Sequence, residues 1–244
     1  MRNAVIAFVL GAGLAGSAAA QHEAALDAAN NTVANTASLQ RGAKYFVNYC
    51  LGCHSAQYVR YNRLAEDLQL TEQQLTDNLM FTGEQPFDTM GNAMRPEDSE
   101  RWFTITPPDL SLIARSRGPD YIYTFLRSFH VAPERPTGVD NTVLPGTAMP
   151  HVLWQLQGTQ RAVFSTDEEH GGAEVFEGFE TVRPGELSTE DFDEVVRDIV
   201  NFLDYIGEPI KRERQQLGIR VIGFLLVFLL IAFMLKKEIW KDVK

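Results

Sequence analysis

The sequence predicts a mainly α-helical domain with long loops, followed by one C-terminal transmembrane helix. Apolar residues recur at helical spacing early in the chain, over residues 39–48, and again over residues 192–206. The middle of the chain, residues 81–186, is rich in Pro and Gly and has little periodicity, which is typical of long loops. A long apolar run without charges lies near the C-terminus.

Two helices frame the domain. In the first, residues 39–48, Gly42 and Phe46 are four residues apart and therefore share one side. Ser188 with Asp191 resembles a capping box, and Gly207 and Pro209 predict the end of the last helix of the domain. A shorter helix is expected at residues 121–129. The stripe of the last helix consists of Phe192, Val195, Val196, Ile199, Phe202, Leu203 and Ile206.

The C-terminal run has the length of a membrane span. Residues 217–235 are 19 residues with Arg220 as their one charge, and as a helix they span about 28 Å, close to the hydrocarbon thickness of a bilayer. Their apolar side chains face every direction, which favours a span over a buried core helix. Arg220 lies near the end of the run, where it can reach the headgroups.

The N-terminus has the pattern of a signal peptide. Arg2 precedes an apolar stretch, and Ala18-Ala19-Ala20 forms a small-residue cleavage site. The alternative is an uncleaved anchor. Four basic residues lie at the N-terminal end of the predicted span, Arg220 among them, and four lysines follow it. Charge therefore does not orient the span, whereas export of the N-terminal part does. The predicted organisation is a signal peptide (1–20), an exported domain (21–210), a transmembrane helix (217–235) and a cytoplasmic tail (236–244).

Charge is unevenly distributed. Residues 21–210 hold 13 Lys and Arg against 29 Asp and Glu, a net charge of −16, whereas the whole chain carries −10. An acidic domain repels nucleic acid and attracts basic proteins, although acidity alone also serves solubility.

Both cysteines of the chain fall in Cys50-Leu51-Gly52-Cys53-His54, the pattern of covalent c-type haem attachment. Each thiol would form a thioether with the porphyrin, and His54 would be the proximal ligand of the iron. A disulfide between Cys50 and Cys53 would close a very small loop. A thioredoxin-like pair needs a βαβ context, and a zinc site needs further ligands at metal spacing. The remaining central and C-terminal histidines are scattered singly: His130, His151 and His170.

The second axial ligand is left open by the residues alone. Met149 precedes Pro150, which favours an extended loop backbone of the kind that can lie across a haem face. The other candidates are a histidine or one of three methionines in a loop-rich stretch: Met80, Met90 and Met94.

With these motifs in place, the chain resembles the cytochrome c1 family, the haem subunits of the cytochrome bc1 complex. The resemblance rests on the signal peptide, the haem motif, the terminal anchor and a series of short segments in a fixed order. These segments are Pro107-Pro108-Asp109-Leu110-Ser111, Arg115-Ser116-Arg117, Asp120-Tyr121, Ala148-Met149-Pro150, Phe202-Leu203 and Glu208-Pro209.

The resemblance implies a class I cytochrome c-like haem domain with one covalent haem c, in which the first and last helices cross beside the haem and Gly42 permits their close approach. Met149 is then the axial ligand opposite His54, so that these two residues bind the iron. Arg117 would pair with a haem propionate, with a solvated surface arginine as the alternative. Pro108 and Tyr121 would form pocket walls. The chain departs from some relatives in having only the two haem cysteines and in having shorter loops.

The implied function is electron transfer from an iron–sulfur subunit, reduced by quinol at cytochrome b, to a soluble cytochrome c. The chain would be a non-catalytic redox subunit of a dimeric complex, single-pass in the bacterial inner membrane, with its haem domain in the periplasm. Alternatives are an anchored cytochrome that serves another respiratory oxidase, a haem enzyme with an open iron position, and a thiol oxidoreductase without haem.

An acidic run in the second half of the chain is a hypothetical docking patch for a basic cytochrome c. Glycines 171, 172 and 178 interrupt it, so an exposed loop is expected. A solvated acidic face without a partner is the alternative. The run comprises Asp167, Glu168, Glu169, Glu174, Glu177 and Glu180.

Overall fold

The computed structural model describes residues 25–167 and 173–241, and within them the chain is mainly α-helical, as predicted. The predicted signal peptide lies outside the described residues, so its cleavage stays a prediction. The helices are α1 (Thr36–Tyr45), α2 (Tyr61–Asp67), α3 (Glu72–Asn78), α4 (Pro96–Phe103), α5 (Ile113–Arg117), α6 (Pro119–Arg127), α7 (Trp154–Gln157), α8 (Thr189–Gly207) and α9 (Lys211–Ile239). The strands are β1 (Ala56–Arg60), β2 (Thr89–Met90), β3 (Phe129–Val131), β4 (Val139–Asn141), β5 (Gly158–Asp167) and β6 (Ala173–Pro184), which pair as three antiparallel two-stranded sheets.

Helix α1 leads directly into the cysteine motif. The side chain of Asn35 caps its first turn by accepting a hydrogen bond from Ser38 N at 3.2 Å. After α1 the helical path continues as one wider π-helical turn, Phe46–Cys50. Such turns insert one extra residue per turn and are frequent at functional sites. The motif therefore starts from a helix rather than from a free loop.

The first and last helices of the domain cross, as the sequence predicts. Gly42 of α1 faces the backbone carbonyl of Asp198 in α8 so closely that a Cβ at position 42 would collide with it. The rings of Phe46 and Phe202 pack beside this point with centroids 5.3 Å apart. The absence of a side chain at Gly42 is what allows the two backbones to approach.

A buried ion pair fixes the register of this crossing. Asp198 is 3% exposed, and an unpaired carboxylate at that depth would be strongly unfavourable. Ser38 Oγ donates to it at 2.6 Å and Arg41 Nη2 at 2.9 Å, both from α1. Asn201 Nδ2 donates to Ser38 Oγ at 2.9 Å, so the polar contacts run back to α8. These directional bonds hold α1 at one position along α8.

Helix α8 begins and ends at the predicted signals. Ser188 accepts a hydrogen bond from Asp191 N at 3.1 Å and also donates to the Asp191 carboxylate. The helix ends at Gly207, two residues before Pro209. The whole apolar stripe predicted for this helix is buried in the core.

The predicted short helix at residues 121–129 is displaced by two residues. Helix α6 begins at Pro119, whose fixed φ suits the first helical position. It ends at Arg127 because Phe129 already belongs to β3, where it pairs with Asn141 of β4. Helix periodicity alone does not reveal that the last apolar residue of the run lies in a strand.

The interpretation of residues 167–180 as a loop was wrong, because most of them form a β-hairpin. Strands β5 and β6 pair over their full length, with Phe164 opposite Phe176 and Val163 opposite Gly178. Glu177 is the extra residue of a bulge between these two pairs. Gly178, at φ +155°, marks the bulge and not the end of the element. Glu168 and Glu169 lie outside the described residues.

Helix α9 contains the whole predicted span. It runs for 29 residues, and none of them is buried against the described part of the chain. Length and composition suffice to cross a membrane. Lys211 at its start pairs with Asp204 of α8 at 2.8 Å, so an ion pair joins the helix to the domain.

Candidate functional site

All the site residues predicted from the sequence line one cavity. It has a volume of about 670 Å³, within the range of small-molecule and cofactor sites, and its wall is mostly apolar. Helices α5, α6 and α8, the cysteine motif and the loop before α7 surround it. The predicted residues in its wall are Cys50, Cys53, His54, Pro108, Arg117, Tyr121 and Met149.

Tight backbone bonds fold the cysteine motif into one turn. The amides of Cys53 and His54 both donate to the carbonyl of Cys50, at 3.0 and 2.8 Å. This turn brings both thiols and the imidazole to the wall of the same cavity. Asn92 Nδ2 donates to the carbonyl of Cys53 at 2.6 Å and holds the turn from outside.

The environment of the two cysteines favours the protonated form of each thiol. Burial, with a smaller contribution from Cys53, raises the pKa of Cys50 to about 12. Burial also raises the pKa of Cys53. Thiol–disulfide exchange requires a thiolate with a lowered pKa, so this environment disfavours a thiol oxidoreductase.

The imidazole of His54 is oriented as a metal ligand. Its Nδ1 lies 2.8 Å from the carbonyl oxygen of Pro108. A carbonyl can only accept, so Nδ1 carries the proton and Nε2 keeps its lone pair for a metal. Burial lowers the pKa of His54, against the opposing effects of the Pro108 hydrogen bond and the charge of Asp109. The ring is therefore neutral at neutral pH.

Asp109, which the sequence analysis did not predict as a site residue, fixes the segment that follows Pro108 through its carboxylate. Asp109 Oδ2 accepts from Ser55 Oγ at 2.7 Å and from Gln57 N at 2.8 Å, and Oδ1 accepts from Ser111 N at 2.8 Å. Burial would raise the pKa of Asp109, but these hydrogen bonds outweigh it and lower the pKa below its usual value. Asp109 belongs to a segment that supported the family resemblance, but spacing alone does not reveal these contacts.

Met149 is the methionine of the cavity wall. It lies in the loop before α7, half-buried, with its amide 3.4 Å from Thr147 Oγ1. Met90 is fully buried in the core, and neither Met80 nor Met94 is among the residues that line the cavity. A thioether is thus available in the same cavity as the neutral imidazole of His54.

Arg117 and Tyr121 form a charged edge of the cavity. Arg117 is the last residue of α5, and its guanidinium lies 5.4 Å from the centroid of the Tyr121 ring in α6. None of the ion pairs among the side chains that the structure describes involves Arg117. The guanidinium is therefore available to an acidic group of a ligand.

These residues fit a covalently held haem. The cavity offers two protonated thiols on one turn, a neutral imidazole, a thioether and a guanidinium around an apolar space. Sequence reasoning missed several other wall residues, among them Ile105 and Leu144, because exposed apolar residues in loops carry no periodic signal.

The chain is similar to known proteins over most of its length. The model of the "Cytochrome C1 family" matches residues 29–161 and 174–243. The chain is 50% identical over 218 residues to "Cytochrome c1" of Allochromatium vinosum, covering 89% of each protein. It is 42% identical over 221 residues to "Ammonia monooxygenase gamma subunit" of Nitrosomonas europaea, covering 91% of this chain and 90% of that one. A chain of "Hyperthermophilic respiratory Complex III" is similar with a TM-score of 0.39 and 18% identity, over 85% of this chain and 77% of the other.

Proposed function

The chain belongs to the cytochrome c1 family, and from this premise we propose that it is the haem subunit of a quinol–cytochrome c reductase. In this role it takes electrons from an iron–sulfur subunit and delivers them to a soluble cytochrome c. Family membership implies a covalently bound haem c and an electron-transfer role in a membrane complex. The single observation that carries the proposal is the cavity whose wall holds Cys50, Cys53, His54 and Met149 together.

Each wall residue has a defined task in this proposal. Cys50 and Cys53 would hold one haem through thioether bonds, and His54 Nε2 and Met149 Sδ would bind its iron. The bound haem supplies a one-electron iron couple. A thioether as second ligand raises the reduction potential and closes the iron to exchangeable ligands, which suits electron transfer and not oxygen chemistry. Arg117 pairs with a propionate, and Pro108 and Tyr121 exclude water from the ring.

The proposed placement in the cell follows from the two ends of the chain. Residues 1–20 direct export, residues 21–210 form the haem domain in the periplasm, residues 217–235 cross the bacterial inner membrane, and residues 236–244 stay in the cytoplasm. The Lys211–Asp204 ion pair supports this arrangement, since it ties the domain to the first turn of α9 at the membrane surface. The chain itself makes and breaks no substrate bond.

The proposed partners are cytochrome b, the iron–sulfur subunit and a soluble cytochrome c, in a dimeric complex. A second candidate is an anchored cytochrome that serves another membrane oxidase. The 42% identical relative named as a subunit of ammonia monooxygenase keeps this candidate open, because it matches nearly the whole chain. The two candidates share the haem site and differ in their companions.

Purification of the intact complex separates these possibilities. The chain, tagged after Lys244, is purified from detergent-solubilised membranes, its companions are identified and its pyridine haemochrome spectrum is recorded. We expect one haem c per chain, co-purified cytochrome b and iron–sulfur subunits, and reduction of the haem by quinol. Companions from another oxidase, or a haem that quinol does not reduce, would replace the reductase assignment with the second candidate.

A further inference from the structure

Asp109 ties together two segments that are far apart in sequence. Its carboxylate accepts from Ser55 Oγ and Gln57 N, 54 and 52 residues away, and from Ser111 N in its own turn. The amide of Leu110 adds a bond to the carbonyl of Ser55 at 2.8 Å. The segment that begins at Ser55 is therefore fixed against the segment that follows Pro108.

These contacts flank the hydrogen bond between His54 and Pro108. His54 directly precedes Ser55, and Pro108 directly precedes Asp109. The Nδ1–Pro108 distance of 2.8 Å thus depends on how the two neighbouring residues are held. Hydrogen bonds to the outer nitrogen of a ligating imidazole fix its orientation and raise its basicity.

We propose that Asp109 is a positioning residue that holds the Pro108 carbonyl on His54 Nδ1–H and thereby sets the orientation and electron donation of the proximal ligand. This inference rests on the proposed haem function of His54. Asp109 is not among the residues that line the cavity, and it acts through Pro108 and Ser55.

The chemistry of the contacts requires a carboxylate. Both oxygens of Asp109 face donors, two on Oδ2 and one on Oδ1. An asparagine would turn its NH2 group against a donor in either orientation, and an alanine would leave all of these donors unpaired. Each replacement loosens the turn while leaving the cavity wall residues in place.

Asp88 provides a matched control. Its Oδ2 also accepts two backbone amides, those of Glu84 and Gln85, each at 2.9 Å. Those contacts lie within one short turn that is not part of the cavity wall. Asp88→Asn therefore removes a similar turn cap and the same charge without touching the segments around His54.

The test uses the full haem-loaded chain in detergent and two measurements. One is the reduction potential, and the other is the exchange rate of the His54 Nδ1 proton, followed by NMR in the reduced protein. Asp109→Asn should raise the potential, because a weaker Nδ1 hydrogen bond makes the imidazole a poorer donor to ferric iron. Exchange should become roughly two- to tenfold faster, the factor of one net hydrogen bond. Asp88→Asn should change neither value.

Ser55→Ala separates positioning from charge. It removes one donor to Asp109 and keeps the carboxylate, so both measurements should move in the same direction as in Asp109→Asn, by less. An unchanged exchange rate in Asp109→Asn, or a potential shift there with no effect of Ser55→Ala, would overturn the proposal in favour of a charge effect or no role. If Asp109→Asn fails to accumulate, Ser55→Ala alone decides. An unmodified chain without covalent haem would contradict the proposed function instead.

Discussion

Gly42 on α1 and the carbonyl of Asp198 on α8 are so close that no side chain fits between them. This contact lies where the two helices that frame the domain cross, beside the packed rings of Phe46 and Phe202. It joins the helix that leads into the cysteine motif to the longest helix of the domain. The position of the motif therefore depends on a backbone-to-backbone approach.

Replacing Gly42 with alanine should destabilise the domain. The new Cβ would overlap the Asp198 carbonyl and force the helices apart, which costs about 1–3 kcal/mol in a packed core. Denaturant unfolding in detergent measures the change in the free energy of unfolding. Gly91→Ala is the control, because nothing lies within 4 Å of a Cβ there. Equal losses in both variants would mean that the crossing tolerates a methyl group.

Removing both thiols should abolish covalent haem. Cys50 and Cys53 are the two cysteines of the chain, so the double alanine variant has no thiol left to form a thioether. Acid acetone should extract all haem from this variant and none from the parent. Single variants, which keep one thiol, should retain a covalent link with an altered haemochrome spectrum. Haem that resists extraction from the double variant would contradict the attachment site.

Replacing Met149 with leucine should leave the covalent haem in place, lower the reduction potential and allow carbon monoxide to bind. Leucine conserves most of the volume, so the cavity wall should stay closed. Met90→Leu is the control, because Met90 is fully buried in the core outside the cavity wall. If Met149→Leu keeps its potential and still excludes carbon monoxide, the ligand is another residue.

Tyr205 should make stability depend on alkaline pH. Its hydroxyl donates to Asp67 Oδ2 at 2.7 Å, and burial together with this bond raises the pKa of the phenol. The unfolded chain loses the phenolic proton near pH 10, before the folded chain does. The stabilisation is therefore complete below pH 10 and decreases as the pH rises above it.

The Tyr205→Phe variant tests this dependence. It should lose about 1.5–3 kcal/mol at pH 7, the usual range for a hydrogen bond to a charged group. Above pH 10 the difference from the parent should shrink. Tyr58→Phe, at a side chain that is 75% exposed, should differ little from the parent at any pH. A constant difference for Tyr205→Phe up to pH 11 would show that the hydroxyl does not carry the pH dependence.

The sequence predicted those features that leave a recognisable motif or a regular spacing of apolar residues. The haem motif, the stripe of α8 and the apolar span each leave a pattern, and the structure places Gly42 at the predicted crossing. The family resemblance, which rests on the order of short motifs, was the only basis for predicting the roles of Arg117, Pro108 and Tyr121. Their presence in one cavity wall could not follow from spacing, because the loops that bring them together have no periodicity.

Two features escaped sequence reasoning for physical reasons. The β5–β6 hairpin was not predicted because Gly178 was interpreted as the end of a regular element. A glycine can also lie within a strand at a β-bulge, as Gly178 does. The contacts of Asp109 were hidden because they join residues more than 50 positions apart. Long-range polar contacts of this kind depend on tertiary structure.

The acidic run of the β5–β6 hairpin offers the last prediction. Glu177 and Glu180 are exposed on β6, and Asp167 ends β5. The carboxylates of Glu177 and Glu180 are therefore accessible to a partner. We predict that the hairpin attracts a basic soluble cytochrome c. Electrostatic attraction of this type acts mainly on the association rate and weakens as salt rises.

Neutralising Asp167, Glu168, Glu169 and Glu174 together should slow electron delivery to the acceptor at low ionic strength. The gap to the parent should close at high salt, while the haem spectrum and reduction by quinol stay normal. A control that neutralises four exposed residues on α2, α3 and the following loop changes the net charge equally: Glu66, Glu72, Asp77 and Glu84. If both variants slow delivery alike, overall charge is responsible and the hairpin is no docking site. If neither slows it, the run serves solubility alone, since a steering patch must show its effect where screening is weakest.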